Sequence, residues 1–421
     1  MKEIKTRRDI EATVKINGSK SLTHRALIAS SLAQGESRLG SFLSCEDTFY
    51  TVGALREMGS VISIEDDIVT VKGTGGSLSP VAGMKPINLG DSGTSFRLLL
   101  SVAALGKGSY LFDGSSRMRS RPIGDLVKAL NMLGVEVCSV DRGGFPPVLI
   151  KADGIPGGRV KIPGNISSQY ISSLLLVGPY TREGLEIDIA GALVSRPYVD
   201  LTIDVMKTFG VDVENKDYKS FRIPEGGHYK PCRFEIEGDV SAASYFWGAA
   251  AITGGKITTK NICPYSTRQG DINLLHIMEK MGCIVERKSD SVTIRGENLE
   301  GVDVDMSSMP DMVPTLAAVA LFARGKTFIR NVSHLRHKES DRLGDTVCEW
   351  SKLGANIEEL DDGLVIQGGV ELHGADIDPH NDHRLAMSLA MVGLRVQGIR
   401  IINENCVGKS FPMFWEMWNF I

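Results

Sequence analysis

The chain has 421 residues, of which 42% are hydrophobic and 23% are charged, and its formal net charge is −4. This composition is that of a globular protein of two or three domains, which can bury a full core without disulfides or metals. The acidic balance and the lack of a lysine- and arginine-rich stripe exclude a typical nucleic-acid-binding surface.

The N-terminal residues 1–16 alternate charged and β-branched residues and lack the apolar core of a signal peptide. They predict two strands, over 2–8 and 10–16. The longest apolar stretches, 98–105 and 317–323, are too short to cross a bilayer. Seven scattered cysteines without CxxC spacing support neither a disulfide framework nor a zinc site, so we expect a reducing, cytoplasmic location.

One structural unit recurs along the chain. A helix-like segment ends at a glycine and is followed by a strand, a turn and a second strand. A glycine at such a junction is typical of a left-handed helix C-cap. Another helix-like segment, rich in small residues, precedes each of these and is predicted to be buried, whereas the second helix is more amphipathic. The recurring glycines are 72 to 76 residues apart: Gly59, Gly134, Gly210, Gly282 and Gly354.

Six copies of this unit can be recognised, and the sixth ends without its closing pair of strands. We therefore expect the N-terminal strands to complete the sixth unit, which places both chain ends in one domain. Three units make a domain of ordinary size. The predicted domains are 17–231, with units one to three, and 1–16 plus 232–421, with units four to six. Two chain crossings then form a hinge, and ligand sites favour the cleft between such domains.

Polar loops, most of them carrying a cation, recur just ahead of the first helix of these units. Helix N-termini present free N–H groups and a positive dipole end, so the loops predict anion sites. In any single loop the same residues also serve as ordinary N-caps. The loops are GSKSLTHR (18–25), LGDSGTSFR (89–97), GNISSQY (164–170), MPDMVPT (309–315) and DPHNDHRLAM (378–387).

A phosphate ester carries about −1.5 to −2 charges at neutral pH, so a cluster of cations on these loops and on the loops 115–122, 334–342 and 407–411 suits two small phosphorylated acids. Two acidic residues lie among the cations or at a helix start, Asp311 and Glu339, and are candidates for proton transfer. For Asp311 an N-cap role stays open. No nucleotide- or metal-binding motif occurs, so no cofactor is predicted. The cations are Lys20, Arg25, Arg121, Lys338, Arg342, Arg384 and Lys409.

Together these loops resemble the enolpyruvyl transferase family, and among its members those that act on shikimate 3-phosphate. The resemblance implies an α/β fold of two similar domains, each with three βαβαββ units in an inside-out α/β barrel, joined by a two-crossing hinge. It implies transfer of the enolpyruvyl group of phosphoenolpyruvate to the 5-hydroxyl of shikimate 3-phosphate, and inhibition by glyphosate. The matching segments span nearly the whole chain: GSKSLTHR, DSGTSFR, SRPI, SSQY, SRPY, PDMVPTLA, KESDRL, DHRLAM and KSF.

The resemblance also implies which residues bind each substrate. Asp311 is similar to the base that takes the 5-hydroxyl proton, and Glu339 to the acid that protonates the methylene carbon, with Lys20 as the alternative acid. The implied shikimate 3-phosphate site is Lys20, Ser21, Arg25, Ser167, Ser168, Gln169, Ser195, Asp311 and Lys338. The implied phosphoenolpyruvate site is Lys20, Gly93, Arg121, Gln169, Arg342, Arg384 and Lys409. Two histidines, His334 and His337, depart from the family pattern.

Three other functions stay open. A sister transferase acting on a UDP-amino sugar usually has Lys-Asn where this chain has Lys20-Ser21, and a reactive loop cysteine where only Cys138, in a predicted strand, is available. An RNA 3′-phosphate cyclase would need ATP and a nucleophile such as His383. A noncatalytic anion-binding protein would bind without turnover. We expect a monomer with two small-molecule substrates and with neither nucleic acid nor membrane as a partner.

Overall fold

The computed structural model describes residues 1–8, 10–79, 85–141 and 143–421, which form a mixed α/β fold. The strands, in chain order, are β1 (Lys2–Glu3), β2 (Glu11–Lys15), β3 (Gln34–Gly40), β4 (Val61–Glu65), β5 (Ile68–Thr74), β6 (Ile87–Asn88), β7 (Lys107–Asp113), β8 (Glu136–Ser139), β9 (Val148–Asp153), β10 (Gly158–Pro163), β11 (Leu185–Ala190), β12 (Glu214–Lys216), β13 (Ser220–Ile223), β14 (Arg233–Glu235), β15 (Lys256–Lys260), β16 (Ile284–Arg287), β17 (Ser291–Arg295), β18 (Asp303–Asp305), β19 (Gly325–Arg330), β20 (Asn356–Leu360), β21 (Gly363–Gly368), β22 (Asp376–Ile377) and β23 (Arg400–Ile401).

The α-helices of the described residues alternate with these strands. They are α1 (Lys20–Leu32), α2 (Glu46–Glu57), α3 (Gly93–Ala104), α4 (Gly124–Met132), α5 (Ser168–Val177), α6 (Arg196–Thr208), α7 (Val240–Thr253), α8 (Leu274–Lys280), α9 (Val313–Ala320), α10 (Arg342–Ser351), α11 (His383–Gly393) and α12 (Phe414–Trp418). None of the helices in the described ranges combines the length and the apolar character needed to cross a membrane.

The described chain divides into two compact units. The first unit is Gly18–Ile236, and the second unit joins Met1–Asn17 to Glu237–Ile421. The first unit ends five residues later than the sequence predicted, because β14 pairs in parallel with β3 and so belongs to it. The first unit is therefore one continuous stretch of chain, and the second is discontinuous.

Each unit contains three sheets. In the first unit their strand orders are β14-β3-β5-β4, β6-β7-β9-β8 and β10-β11-β13-β12. In the second unit they are β2-β15-β17-β16, β18-β19-β21-β20 and the three-stranded β1-β23-β22. The sheet β6-β7-β9-β8 shows the repeat clearly: β6 and β7 are parallel with α3 between them, and β8 and β9 close the sheet as an antiparallel pair after α4.

The N-terminal strands divide between two sheets. β1 pairs antiparallel with β23, so the prediction that the N-terminus completes the sixth sheet is confirmed for this strand. β2 instead pairs in parallel with β15 in the fourth sheet, so the prediction is wrong for β2. The reason is that β14, the strand just before α7, pairs with β3, which leaves the edge beside β15 to β2.

The small-residue helices form the cores. In the first unit α1, α3 and α5 contact one another, and in the second unit α7, α9 and α11 do so. α7 is buried from Ala242 to Ile252, including Trp247. α10, by contrast, is buried mainly along one face. The predicted contrast between buried first helices and amphipathic second helices is therefore confirmed for these elements.

The five recurring glycines adopt the predicted left-handed conformation, with φ between +81° and +106°. We expect Gly282→Ala to lower the free energy of unfolding by about 1–2 kcal/mol, because a side chain is strained at this φ and its Cβ would lie 2.6 Å from the Asn298 carbonyl oxygen. Gly53→Ala is the matched control. Gly53 lies inside α2 with nothing within 4 Å of an added Cβ, so we expect a gain of about 0.5–1 kcal/mol. Urea unfolding measures both, and equal effects would contradict the role of φ.

Candidate active site

Several predicted site residues of the first unit stand at the beginnings of its buried helices. α1 starts at Lys20, α3 at Gly93 and α5 at Ser168. Each start leaves backbone N–H groups without helical acceptors, which favours anions at these positions. The fold therefore brings anion-binding backbone and cationic side chains to the same ends of these helices.

Lys20 is oriented by a carboxylate that sequence reasoning missed. Its Nζ lies 3.0 Å from Asp47 Oδ2, and the Asp47 side chain is only 3% exposed. Asp47 lies in the first turn of α2, and its backbone carbonyl accepts a hydrogen bond from Ser95 Oγ on α3. Nothing in the local sequence distinguishes Asp47 from an ordinary first-turn acid, because the pairing depends on how α1 and α2 pack.

Arg25 is a buried cation whose hydrogen-bond acceptors are neutral oxygens. Nε donates to Thr202 Oγ1 at 2.7 Å, Nη1 to the Ser21 carbonyl at 2.8 Å, and Nη2 to the Tyr198 carbonyl at 3.1 Å. Burial lowers the pKa of Arg25 to about 10, so the guanidinium is still charged at neutral pH. A buried positive charge held by dipoles alone is well suited to an anionic ligand.

Gly93 and Arg121 are in close contact. Arg121 is 3% exposed, and its Nη1 lies 3.2 Å from the Asp91 carbonyl oxygen. A Cβ on residue 93 would lie 2.6 Å from the Arg121 guanidinium. Glycine therefore allows the guanidinium to approach the first turn of α3.

Gln169 links α5 to α3. Its Oε1 accepts a hydrogen bond from Arg97 Nη1 at 2.8 Å, and its Nε2 donates to Thr94 Oγ1 at 3.0 Å. The Oγ of Ser167 caps α5 by accepting from the Gln169 backbone N–H. Ser195 precedes α6 with a left-handed φ of +53° and does not cap that helix with its side chain. Strained residues of this kind cluster at functional sites.

In the second unit Asp311 lies among three cations. Arg384 Nη2 is 2.7 Å from its Oδ2, while Arg342 Nη1 and Lys338 Nζ are 2.9 Å and 3.5 Å from its Oδ1. Burial opposes ionisation, but Arg384, Lys338 and Arg342 hold the pKa of Asp311 well below its usual range. Met309 and Met312 occupy the N-cap positions of the local helices, so the alternative role of Asp311 as an N-cap is wrong.

Arg342 connects the acids of this cluster. Its side chain is 1% exposed and lies 2.7 Å from Asp382 and 2.8 Å from Glu339, in addition to Asp311. Although burial opposes its charge, Asp382, Glu339 and Asp311 raise the pKa of Arg342. Asp382 also caps α11 by accepting from the Arg384 backbone N–H at 2.9 Å, so one carboxylate orients both arginines.

Three further residues of this unit that the sequence singled out are Lys409, His334 and His337. Lys409 is 5% exposed and ends the 3-10 helix Glu404–Lys409. His334 is half-buried, and burial lowers its pKa to about 4, so it is neutral at physiological pH. His337 is exposed.

Comparison with known proteins places the chain in a family. Residues 4–418 match the family described as EPSP synthase (3-phosphoshikimate 1-carboxyvinyltransferase). A relative named 3-phosphoshikimate 1-carboxyvinyltransferase from Sulfurovum sp. is 41% identical over 98% of this chain and 97% of its own length. The chain belongs to the EPSP synthase family.

Other EPSP synthases agree in sequence and in fold. A relative from Methanoculleus marisnigri with the same name is 42% identical over 97% of this chain and 96% of its own. A solved EPSP synthase structure from Acinetobacter baumannii superposes with a TM-score of 0.82 at 28% identity, covering 99% of this chain and 97% of that one. The similarity to EPSP synthases therefore extends over nearly the whole chain.

Asp271 is a further buried acid that the sequence did not single out. It lies in the 3-10 helix Gly270–Asn273, is 4% exposed and accepts a hydrogen bond from Ser241 Oγ, while its Oδ1 has no hydrogen-bond partner in the described part of the chain. Burial and the charge of Asp311 raise the pKa of Asp271 to about 7. Between the ordinary pKa of this carboxyl and the raised value, the folded protein therefore keeps a proton on Asp271 that the unfolded chain releases.

Asp271→Asn tests this pKa. When folding raises the pKa of a group, the contribution of that group to the free energy of unfolding falls as pH rises from the unfolded pKa, about 4, to the folded pKa. We expect the variant to gain at least about 1 kcal/mol of unfolding free energy relative to wild type between about pH 5 and pH 8, by urea titration. Asp212→Asn, at an exposed position, controls for the amide. A constant difference across this range would contradict the raised pKa.

Proposed function

We propose that this enzyme transfers the enolpyruvyl group of phosphoenolpyruvate to the 5-hydroxyl of shikimate 3-phosphate and releases phosphate. Its place in the EPSP synthase family supports this reaction. The reaction belongs to aromatic amino acid biosynthesis. Membership of the same family makes the enzyme a target of glyphosate. The structural observation that carries the proposal is Asp311, a carboxylate kept ionised between Lys338, Arg342 and Arg384 beside the acid Glu339.

Shikimate 3-phosphate is assigned mainly to the first unit. The buried Arg25 supplies a charge without a carboxylate partner among the described residues, and the starts of α1 and α5 supply backbone N–H groups and serine hydroxyls. These features suit a phosphate ester with several hydroxyl groups. The proposed ligands are Lys20, Ser21, Arg25, Ser167, Ser168, Gln169, Ser195, Asp311 and Lys338.

Phosphoenolpyruvate is assigned mainly to cations that are themselves buried. Its phosphate and carboxylate need compensating charge, and Arg121, Arg342, Arg384 and Lys409 are each no more than 6% exposed. Charges held in place before the ligand arrives need little rearrangement when it binds. The proposed ligands are Lys20, Gly93, Arg121, Gln169, Arg342, Arg384 and Lys409.

The proposed reaction proceeds by addition and then elimination. An acid, Glu339 or Lys20, protonates the methylene carbon of phosphoenolpyruvate, the 5-hydroxyl oxygen bonds to the central carbon, and Asp311 takes the hydroxyl proton. The tetrahedral intermediate then returns a methyl proton to the conjugate base of that acid and expels its phosphate, which restores the double bond. Positioning and fixed charges account for the rate enhancement in this scheme.

The cations around Asp311 also explain how so weak a base can act. Arg342 and Arg384 are proposed phosphoenolpyruvate ligands, and in the structure both pair with Asp311. When the anionic groups of the substrate engage them, their hold on Asp311 weakens and its pKa rises toward its usual range. Ligand binding thereby releases Asp311 from its ion pairs, so that its carboxylate is able to accept a proton.

The finer architecture is part of the same proposal. Each unit is taken as an inside-out α/β barrel, the two chain crossings at residues 17–18 and 236–237 as a hinge, and the enzyme as a monomer. The three sheets and three mutually packed helices of each unit support the barrel assignment.

The reaction is tested by phosphate release. We expect purified protein to release phosphate only when both substrates are present, and Asp311→Asn to lower kcat by about 10²- to 10⁴-fold, because the variant lacks the proton acceptor. Asp303→Asn is the control, since Asp303 forms an exposed ion pair with Arg330 and such pairs contribute little. Wild-type protein that releases no phosphate would refute the function, and a fully active Asp311→Asn would refute the role of Asp311.

Gly93→Ala tests the phosphoenolpyruvate site. The added methyl group must displace the Arg121 guanidinium, so we expect the KM for phosphoenolpyruvate to rise by about 10-fold, with a smaller change in the KM for shikimate 3-phosphate. Steady-state kinetics with each substrate varied in turn measures both constants. Gly53→Ala, at which the methyl group touches nothing, controls for the substitution. An unchanged KM for phosphoenolpyruvate would remove Arg121 from this site.

A further inference from the structure

A two-residue turn stands immediately before Asp382. His380 and Asn381 both have left-handed backbones, with φ of +51° and +57°. This conformation is uncommon for residues other than glycine, and it persists where surrounding contacts impose it. The contacts of this turn therefore identify what holds it.

Glu349 on α10 is the first anchor. Its side chain is 1% exposed; Oε1 lies 2.9 Å from His380 Nε2, and Oε2 accepts a hydrogen bond from the Asp378 backbone N–H at 2.9 Å. A carboxylate oxygen only accepts, so Nε2 of His380 carries the hydrogen. Lys352 Nζ neutralises Glu349 from 2.7 Å. The buried acid thus uses both oxygens to hold the segment that begins α11.

Asn403 is the second anchor. Its Nδ2 donates to Asn381 Oδ1 at 3.2 Å, and it is itself left-handed, with φ of +51°. The 3-10 helix that follows Asn403 ends at Lys409. The turn is therefore tied on one side to α10 and on the other to the element that carries Lys409.

The same turn leads directly into the cation cluster. Asp382 follows Asn381, pairs with Arg342 and caps α11 through the Arg384 backbone N–H. Arg342 begins α10, and Glu349 lies seven residues later, two turns along the same helix. Three elements that meet at the turn therefore each carry one of the cations Arg342, Arg384 and Lys409.

We propose that His380 and Glu349 are positioning residues that fix the relative placement of Arg342, Arg384 and Lys409. Neither is assigned to a substrate; they act through the turn and Asp382. The inference rests on the proposed function for the identity of the ligand, phosphoenolpyruvate, to which these three cations are assigned. Lys352 Nζ already donates to both oxygens of Glu349, and the two further contacts of Glu349, with His380 Nε2 and the Asp378 backbone N–H, hold the turn.

The kinetic test is His380→Asn. Asparagine tolerates the left-handed backbone but is too short to reach Glu349. We expect the KM for phosphoenolpyruvate to rise by about 10-fold, while the KM for shikimate 3-phosphate changes by less than about 2-fold. His380→Gln keeps an N–H donor at similar reach, so we expect its KM for phosphoenolpyruvate to stay close to the wild-type value. His276→Asn is the matched control, because His276 contacts Glu279 on the exposed face of α8.

A purely structural role would lower stability without separating the two KM values. Equal changes in both constants, or an unchanged KM for phosphoenolpyruvate in His380→Asn, would overturn the proposal. If His380→Asn does not fold, Glu349→Gln replaces it, since it keeps one acceptor oxygen while weakening the bond to His380; the same selective rise is expected.

Hydrogen exchange separates this inference from the proposed function. In His380→Asn without substrates, we expect backbone amides in 382–386 and 404–409 to exchange at least about 10-fold faster than in wild type, with 240–253 unchanged. Unchanged exchange in both segments would overturn the positioning role even if the enzyme is active. If wild-type protein releases no phosphate but exchange changes as expected, the proposed function fails and the positioning role stands.

Discussion

The second unit depends on the neutralisation of one buried guanidinium. Arg342 is almost fully enclosed and faces three carboxylates, Asp311, Asp382 and Glu339, while Arg384 and Lys338 supply further positive charge. Buried charges are tolerated when each has a partner, and removing one partner leaves an uncompensated charge at high cost. Each charge of the cluster therefore has an opposite partner, and in the proposed function the anionic groups of phosphoenolpyruvate take the place of Asp311 beside Arg342 and Arg384.

The first unit solves the same problem differently. Lys20 has a buried carboxylate partner in Asp47, but Arg25 is held by hydroxyl and carbonyl oxygens. Dipoles stabilise a guanidinium without cancelling its charge, so the positive charge of Arg25 is still able to attract an anion. The two units thus combine one cluster in which acids and bases compensate one another with one that keeps positive charge available.

Much of this organisation could be predicted from the sequence, since it is encoded locally. The spacing of Gly59 to Gly354 predicted the repeated units, and each of these glycines adopts the left-handed conformation. The partner of β2 could not be predicted, because the choice between two sheets depends on β14, more than 200 residues away. Asp47 and Asp271 could not be predicted for a similar reason. Their chemistry arises from burial and from neighbouring residues that only the packed helices supply.

The pairing of β2 with β15 has a consequence for biosynthesis. Glu11 lies opposite Lys256, so β2 must wait during synthesis for a partner 245 residues downstream. At ordinary translation rates this interval is on the order of tens of seconds. The continuous stretch Gly18–Ile236 can acquire its core during that time, whereas the second unit stays incomplete until late in synthesis. The topology therefore favours an order of assembly on the ribosome in which the inserted unit forms first and the unit that encloses it in the chain closes last.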